Sequence, residues 1–228
     1  MIPFQYDNAI IERFPLLAGG AILATGLHNA PSGEGLRGQY AIAQQEVRAE
    51  IGTTPLSALE TLAGWRAAFR GFGVDPTQYR SAVEALLRRL TKKGDIPSIN
   101  TIVDACNLVS IRSGLPVAAI DLRAVRGVIT VRFASGEEQF TPLGVAEPEH
   151  PEPGEVIFID EAGLVLARRW CWRQSEESAA REETTDVLIT VEAQHAGGRE
   201  TVERAMANLQ EILQEYAGGH YESAMIAG

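Results

Sequence analysis

Apolar residues recur at helical spacing through the first half of the chain and again near residue 200. The clearest pattern covers residues 199–216, where the apolar side chains share one face of a predicted helix. Four further helices are predicted, at residues 36–51, 56–69, about 81–92 and about 99–109. Ser81 and Glu84 form a capping-box pair for the third of these, and Ser98 or Asn100 caps the fourth.

After residue 114 the pattern changes to short β-branched segments separated by Gly, Pro or Asp. Strands are predicted at residues 117–122, 128–134, 155–159, 164–167 and 187–192, with an earlier buried, alanine-rich strand at 19–27. Residues 144–154 hold three prolines and three acidic residues and are predicted to form a loop. Because helices dominate the first half and strands the second, we predict an α+β fold.

Composition narrows the class of protein. The chain has 228 residues and a net charge of −10, with no apolar window near the roughly 18 residues of a membrane-spanning helix. Acidic residues appear early in the N-terminal segment, which argues against a signal peptide. Two cysteines do not make a disulfide scaffold, so we expect a cytoplasmic protein.

The charge is unevenly distributed. Residues 64–132 contain eleven basic and five acidic residues, whereas residues 133–163 contain eight acidic residues and no Lys or Arg. The overall acidity disfavours a general nucleic-acid binder, but the basic segment forms either ordinary solvated helix faces or a local anion-binding surface. The candidates for a nucleic-acid face are Arg66, Arg70, Arg80, Arg88, Arg89, Lys92 and Lys93.

The usual sequence motifs for phosphate loops, dinucleotide binding, serine hydrolases and zinc proteases do not occur. The four histidines are scattered, so we expect neither a metal site nor a cofactor. Cys106 lies on an apolar helix stripe and is predicted to be a buried structural thiol. On the same helix, Asp104 and Asn107 are either site residues, together with Asp121 at the end of the next strand, or hydrogen-bond partners of turn backbone groups.

Arginine and tryptophan alternate over residues 168–175. If this segment is a strand, one face carries Arg169, Cys171 and Arg173, and the other carries Arg168, Trp170 and Trp172. Arginine beside tryptophan suits binding of a nucleobase, an aromatic amino acid or a terminal carboxylate. The alternative is an ordinary cation–π pair at a sheet edge.

Residues 103–122, VDACNLVSIRSGLPVAAIDL, resemble the editing domain of the beta subunit of bacterial phenylalanyl-tRNA synthetase, also called the B-three/B-four domain. Residues 127–137, 155–160 and 183–189 extend this resemblance, while residues 65–81 and 168–173 are more similar to freestanding relatives. The resemblance covers roughly residues 10–194. It implies one α+β domain around a mixed sheet with flanking helices and a central pocket. In the synthetase, this pocket admits the aminoacyl end of mischarged tRNA, and the ester bond is hydrolysed there.

The resemblance also sets the expected domain limits. Residues 1–195 would form the domain and residues 196–228 a C-terminal amphipathic helix and tail. That helix either docks on its own sheet or mediates dimerisation, and the oligomeric state stays open. The candidate pocket residues are Asn107, Asp121, Arg169, Trp170, Trp172, Arg173 and Glu192.

The chain departs from the synthetase pattern at two positions and in one loop. Ala118 replaces the histidine of a Gly-x-Pro-x-His motif, and Thr190 replaces a glutamate, with Glu192 two residues later on the same strand face. Bulky residues also replace a glycine-rich pocket loop. Two functions are therefore expected as alternatives: a trans-acting aminoacyl-tRNA deacylase with aminoacyl-tRNA or tRNA as partner, or a non-catalytic binding module for tRNA or an amino-acid-like small molecule. Catalytic residues are not assigned.

Overall fold

The computed structural model describes residues 2–228. The elements confirm the α+β class, with helices mostly in the first half and strands mostly in the second. In chain order they are β1 (Phe4–Tyr6), α1 (Asn8–Arg13), β2 (Leu17–Thr25), α2 (Glu34–Ile51), a short 3-10 helix (Leu56–Ala58), α3 (Glu60–Gly71), α4 (Ala82–Lys93), α5 (Thr101–Ser113), β3 (Val117–Asp121), β4 (Ile129–Phe133), β5 (Val156–Ile159), β6 (Val165–Arg168), β7 (Arg173–Gln174), β8 (Val187–Gln194), α6 (Gly198–Tyr216) and β9 (His220–Ala227).

The strands form two sheets. The first has four antiparallel strands in the order β3-β8-β2-β9. The second has five strands in the order β1-β4-β5-β6-β7, and it is mixed because β1 and β4 are parallel. The central strands β2 and β8 are buried along nearly their whole length, as expected for strands covered on both faces.

Two apolar layers hold these sheets in place. One side of the four-stranded sheet, including Ile22 and Ile189, packs against α2, α4, α5 and α6. Its other side, including Ala21 and Leu188, packs against the five-stranded sheet. The alternation of side chains along β2 and β8 therefore gives both strands two buried faces. The order is helices, four-stranded sheet, five-stranded sheet.

Helix α3 crosses the end of β8 at very short range. A Cβ atom on Gly64 would lie 2.1 Å from the carbonyl oxygen of Gln194, which is backbone and cannot move aside cheaply. Glycine at position 64 thus permits the contact that brings α3, with the buried Trp65, over the edge of the sheets.

The predicted helices and strands are present with small shifts at their ends. The predicted helix over residues 56–69 is interrupted at Leu59, whose extended backbone separates the 3-10 helix from α3. The side chain of Asn100 caps α5 by accepting from the Val103 N–H, so Ile99 precedes the helix and is exposed. None of the helices in the described residues is long and apolar enough to cross a membrane.

The C-terminal segment belongs to the same layers as the rest of the chain. Helix α6 docks on β2, β8 and α5 through buried residues such as Val202 and Leu209, so the docking alternative is the observed one. The strand β9, which the apolar pattern did not predict, pairs with β2 from His220 to Ala227 and completes the four-stranded sheet.

Candidate functional site

A cavity of about 260 Å³ opens beside the edge strand β3. Its walls come from α5, β3, the segment that connects β6 to β7, and the inner face of β8. Most lining atoms are apolar. The ionisable side chains on its wall are Cys106, Cys171, Arg173 and Glu192. The volume is slightly below the roughly 300–1,000 Å³ of drug-sized ligand sites, so the cavity suits a group of about amino-acid size.

Glu192 is the buried carboxylate of this cavity. Alternation along β8 turns Val191 and Ala193 toward the helices and Glu192 toward the five-stranded sheet. Its Oε1 accepts hydrogen bonds from the Tyr6 hydroxyl and from the Trp170 indole N–H, both at 2.8 Å. Burial raises the pKa of Glu192 to about 7, although both hydrogen bonds act in the opposite direction. The cavity therefore holds a group that changes charge near neutral pH.

The segment between β6 and β7 is a turn with left-handed backbone, which makes the predicted strand alternation over residues 168–175 wrong. Arg169 and Trp170 have φ angles of 45° and 60°. For non-glycine residues, this left-handed conformation raises the free energy of the folded state by on the order of 1–3 kcal/mol each. The chain consequently reverses direction, and β7 begins only at Arg173. Side chains that alternation placed on opposite faces come together around the turn.

Buried interactions hold this turn in place. Arg168 makes a bidentate pair with Glu155, with both distances at 2.8 Å, and both side chains are almost fully buried. Trp170 is fully buried and packs edge-on against Phe14 and Trp65, with ring centroids 4.9 and 5.3 Å away. The indole N–H is thereby fixed where it reaches Glu192.

The two thiols of the cavity are held in their protonated form. Burial raises the pKa of Cys106 to about 12, which agrees with its prediction as a buried structural thiol. Burial also raises the pKa of Cys171, and the nearby Glu192 carboxylate raises it further. Since the thiolate is the reactive form, neither side chain is suited to nucleophilic attack at neutral pH.

Five of the seven candidate pocket residues line the cavity: Asn107, Trp170, Trp172, Arg173 and Glu192. The other two lie elsewhere. Asp121 is fully buried at the end of β3, where it accepts hydrogen bonds from Thr184 and from Arg123 Nε, the latter at 2.7 Å. Arg169 stacks behind Trp172 and is not part of the cavity wall.

The seven candidates for a nucleic-acid face divide into two groups. Arg66, Arg80 and Arg89 form ion pairs: the first two with Glu84, at 2.6 and 3.9 Å, and the third with Asp95 at 3.9 Å. The other four are exposed and form no ion pair with any described residue; they are Arg70, Arg88, Lys92 and Lys93. The last three of these lie on the C-terminal half of α4, whose first residue lines the cavity.

Sequence reasoning missed two aromatic side chains at the site. Tyr6 comes from a three-residue strand whose only signal is the alternation of Phe4 and Tyr6 around a polar residue. Tyr79 lies in the connection between α3 and α4, where no periodicity is available, and its ring is 3.9 Å from the Arg169 guanidinium. Across the described residues, no cluster of three His, Cys, Asp or Glu side chains could hold a metal ion.

The fold and the cavity define an α+β domain with a small pocket between a sheet edge and a turn. A family model described as the B3/4 domain matches residues 64–218, and the chain belongs to this family. The match begins at residue 64, later than the resemblance expected from sequence motifs, and it extends past the C-terminal limit of that resemblance to include α6.

Similar proteins agree with this assignment. The chain is 29% identical over 187 residues to the phenylalanine–tRNA ligase beta subunit of Shewanella oneidensis, which covers 81% of this chain and 23% of that protein. It is 34% identical over 121 residues to the same subunit of Aquifex aeolicus, and this alignment covers 53% of this chain and 15% of that subunit. The chain thus spans less than a quarter of these relatives.

A solved structure supports the fold. The crystal structure of an N-terminal fragment of the phenylalanyl-tRNA synthetase beta-subunit from Pyrococcus horikoshii matches with a TM-score of 0.53 and 14% identity. The match covers 100% of this chain and 55% of that one.

The two replaced pocket positions are neighbours in the sheet. Ala118 and Thr190 are paired residues of β3 and β8, and Ala118 lines the cavity. The Thr190 hydroxyl is buried and has no hydrogen-bond partner among the described residues. The histidine and the glutamate expected from the resemblance are therefore absent at these two positions, and the carboxylate of Glu192 lies two residues further along β8.

Proposed function

We propose that this chain binds the aminoacyl group of an aminoacyl-tRNA in the cavity and hydrolyses the ester bond in trans. The observation that carries the proposal is an amino-acid-sized apolar cavity with one buried carboxylate, Glu192, in a domain of the B3/4 family. The names of the relatives support tRNA as the partner. The proposal concerns this domain alone and does not include the other activities of those much longer proteins.

The chemistry of the wall favours direct attack by water. Both thiols are protonated, so a covalent thioester intermediate is disfavoured. An aminoacyl ester is already activated, and polar groups of the wall such as Asn107 and Arg173 can orient a water molecule and the carbonyl. Water adds to the ester carbonyl carbon, the bond to the ribose oxygen breaks, and the products are the free amino acid and deacylated tRNA.

Deacylation of a panel of correctly and incorrectly charged tRNAs tests the proposal. We expect at least one ester to be hydrolysed clearly faster than in buffer, and Glu192→Gln to lower that rate or change the preferred amino acid. The exposed Arg204→Ala on α6 is the matched control for folding and purity, because it lies outside the cavity. No turnover above buffer across the panel contradicts the catalytic proposal.

A second candidate is a non-catalytic binding module for tRNA or an amino-acid-like small molecule. It is favoured by Ala118 and Thr190, because these two positions lack the histidine and the glutamate that the synthetase pattern has there. Thermal-shift titration with free amino acids and with a non-hydrolysable aminoacyl-adenosine separates the two functions. Saturable binding without turnover supports the module, whereas turnover excludes it.

A further inference from the structure

The edge of the four-stranded sheet that lies opposite the cavity is open. The cavity lies beside β3 at one edge, and β9 forms the other, with β2 as its only strand neighbour in the described part of the chain. Its pairing with β2 is regular from His220 to Met225, and Ser223 and Ala224 in the middle are exposed. The strand contains neither proline nor lysine, which commonly protect an edge strand from further pairing. The outer side of β9 therefore presents backbone N–H and C=O groups that can pair with another strand.

Beside this edge, α6 and β9 form the walls of an open groove of about 800 Å³. The two elements run antiparallel, because residues 217–219 turn the chain back and the Arg199 guanidinium donates to the Gly228 carbonyl oxygen at the far end. The lining between them includes the apolar side chains of Met206 and Met225. A groove between a strand edge and a helix can hold an extended peptide, whose backbone pairs with the strand while alternate side chains enter the groove.

The helix wall of the groove is acidic. Four positions at intervals of four residues along α6 line it, and three of them are glutamates; the four are Glu203, Ala207, Glu211 and Glu215. Glu203 pairs with Arg199 at 3.1 Å, whereas Glu211 and Glu215 form no ion pair with any described residue. Among the described residues, no Lys or Arg lines the groove. The charge of the wall therefore favours a basic partner.

The spacing of the wall positions matches that of an extended strand. Four residues of a helix rise about 6.0 Å, and two residues of a strand span about 6.6 Å. Over the roughly 18 Å from Glu203 to Glu215, each wall position therefore faces every second residue of a peptide. A peptide antiparallel to β9 runs in the same direction as α6. Its second wall-facing residue then lies beside Ala207, and its other wall-facing residues lie beside glutamates.

A second copy of the chain fits this edge less well. Two β9 strands paired about a two-fold axis would bring both α6 helices to the same side of the joined sheet, with one acidic wall facing the other. Like charges placed opposite each other destabilise such an interface. The same glutamates attract a basic segment, so the charge of the groove distinguishes the two occupants.

We propose that the groove between α6 and β9 binds an extended basic segment of a partner protein, which adds as a fifth strand to the four-stranded sheet. The segment is antiparallel to β9, as are all pairs of this sheet, and it has the pattern basic-x-small-x-basic-x-basic. This interaction goes beyond the proposed hydrolysis and uses the opposite edge of the sheet.

The test titrates the full chain into a fluorescein-labelled peptide of sequence RTAVRTR and follows fluorescence anisotropy. We expect saturable binding that weakens as salt is added, because the exposed glutamates contribute through screened ion pairs. A peptide of the same composition with its three arginines contiguous should bind at least about fivefold more weakly. Equal affinity for the two peptides would show plain charge attraction and overturn the proposal.

Backbone pairing is tested with two N-methylated forms of the same peptide, one modified at odd and one at even positions. In an antiparallel pair, the N–H groups of alternate residues point toward the neighbouring strand. One methylated peptide should therefore bind at least about tenfold more weakly than the other. Equal affinity of the two methylated peptides contradicts strand addition.

The acidic wall is tested by the double substitution Glu211→Gln, Glu215→Gln. Both side chains are exposed, so the fold should be retained, and affinity for RTAVRTR should fall by about fivefold with a weaker dependence on salt. The matched control is Glu200→Gln, which removes an exposed carboxylate of α6 outside the groove and should leave the affinity unchanged. An unchanged affinity in the double variant overturns the assigned groove.

Analytical ultracentrifugation covers the other occupant. A dimer at the titration concentrations that does not bind the peptide would assign the edge to a second copy and overturn the proposal. Glu192→Gln should leave peptide affinity unchanged, because the cavity and the groove lie at opposite edges of the sheet. Failure of the proposed hydrolysis therefore leaves the groove untouched, and failure of peptide binding leaves the hydrolysis untouched.

Discussion

Glu192 is a residue whose charge near neutral pH depends on the fold. Its pKa is about 7 in the folded protein and 4.5 ordinarily, so the folded state binds more protons than the unfolded state between these values. The contribution of Glu192 to the free energy of unfolding therefore falls as pH rises from about 4.5 to about 7. The loss has an upper bound on the order of 3 kcal/mol.

We expect Glu192→Gln to remove this pH dependence. The amide oxygen can still accept from Tyr6 and Trp170, and no charge forms at high pH. Urea unfolding of both proteins at pH 5 and pH 8 measures the effect. We compare the free energy of unfolding of the variant with that of the unaltered protein at each pH. This difference should favour the variant more at pH 8 than at pH 5. A stability difference that is the same at both values contradicts the assigned burial.

The Arg168–Glu155 pair makes a second prediction at this scale. Arg168→Met removes the bidentate pair and leaves the buried Glu155 carboxylate with only Arg169, whose Nε lies 3.6 Å away, so it should lower the free energy of unfolding by about 3–5 kcal/mol. Adding Glu155→Leu should restore much of the loss. Arg112→Met is the matched control, because its pair with Glu46 is exposed and 3.4 Å long, and it should cost less than about 1 kcal/mol.

Chemical denaturation of the four proteins measures these values. If the double variant is no more stable than Arg168→Met, the ion pair is not the source of the loss. The turn at Arg169 and Trp170 should also loosen in the single variant, which tryptophan fluorescence can report because Trp170 is fully buried.

The residues of the site differ in how far sequence predicts them. Trp170, Trp172 and Arg173 could be proposed because rare residue types cluster along the chain, and all three line the cavity. Their arrangement could not, since it depends on two left-handed residues that no local pattern announces. Tyr6 reaches Glu192 from 186 positions away, and such a contact becomes visible only when the two sheets are stacked.

At the scale of elements, the close approach of β1 to β2 depends on glycine. A Cβ atom on Gly19 would lie 2.1 Å from the Tyr6 Oη and 2.7 Å from its ring, and Gly19 is paired with Glu192 across the sheet. Gly19→Ala should therefore push Tyr6 away from Glu192 and cost about 1–3 kcal/mol through overpacking. Thermal unfolding and tyrosine titration measure the two effects.

The neighbouring Gly20 supplies a matched control on the opposite face of β2. A Cβ atom there meets the Sδ of Met206 at 2.0 Å, and a flexible methionine on α6 can move aside more easily than a tyrosine ring. Gly20→Ala should thus cost less than Gly19→Ala and leave the Tyr6 hydroxyl in place. Equal destabilisation by both substitutions would show that the Tyr6 contact is not special.

Long helices with a clear apolar stripe were predictable from the sequence. Very short strands, and strands that are ordered mainly by pairing with a neighbour, were not. Helices α2 and α6 have 18 and 19 residues, enough for a clear apolar stripe. The strand β9 is mostly exposed or half-buried, so its residues carry a weak pattern and it is ordered by pairing with β2. β7 has two residues, too few for any alternation.

At the scale of the whole molecule, folding divides a basic stretch of sequence into two regions. Near the cavity, Arg66 and Arg80 are used internally by Glu84. The C-terminal half of α4 instead exposes Arg88, Lys92 and Lys93. With a rise of 1.5 Å per residue, its end lies about 16 Å from the helix start at the cavity wall. The exposed cations of α4 thus lie about one helix length from the cavity wall.

The triple substitution Arg88→Ala, Lys92→Ala, Lys93→Ala tests whether the exposed cations of α4 bind RNA. If these side chains contact phosphates, tRNA affinity should fall for every sequence alike, and the slope of log affinity against log salt should decrease by up to about three. The control Arg37→Ala, Arg204→Ala removes two exposed cations elsewhere and should leave the slope unchanged. Since a net charge of −10 repels RNA from most of the surface, an unchanged slope in the triple variant would place the tRNA body on a different face and require a new docking orientation.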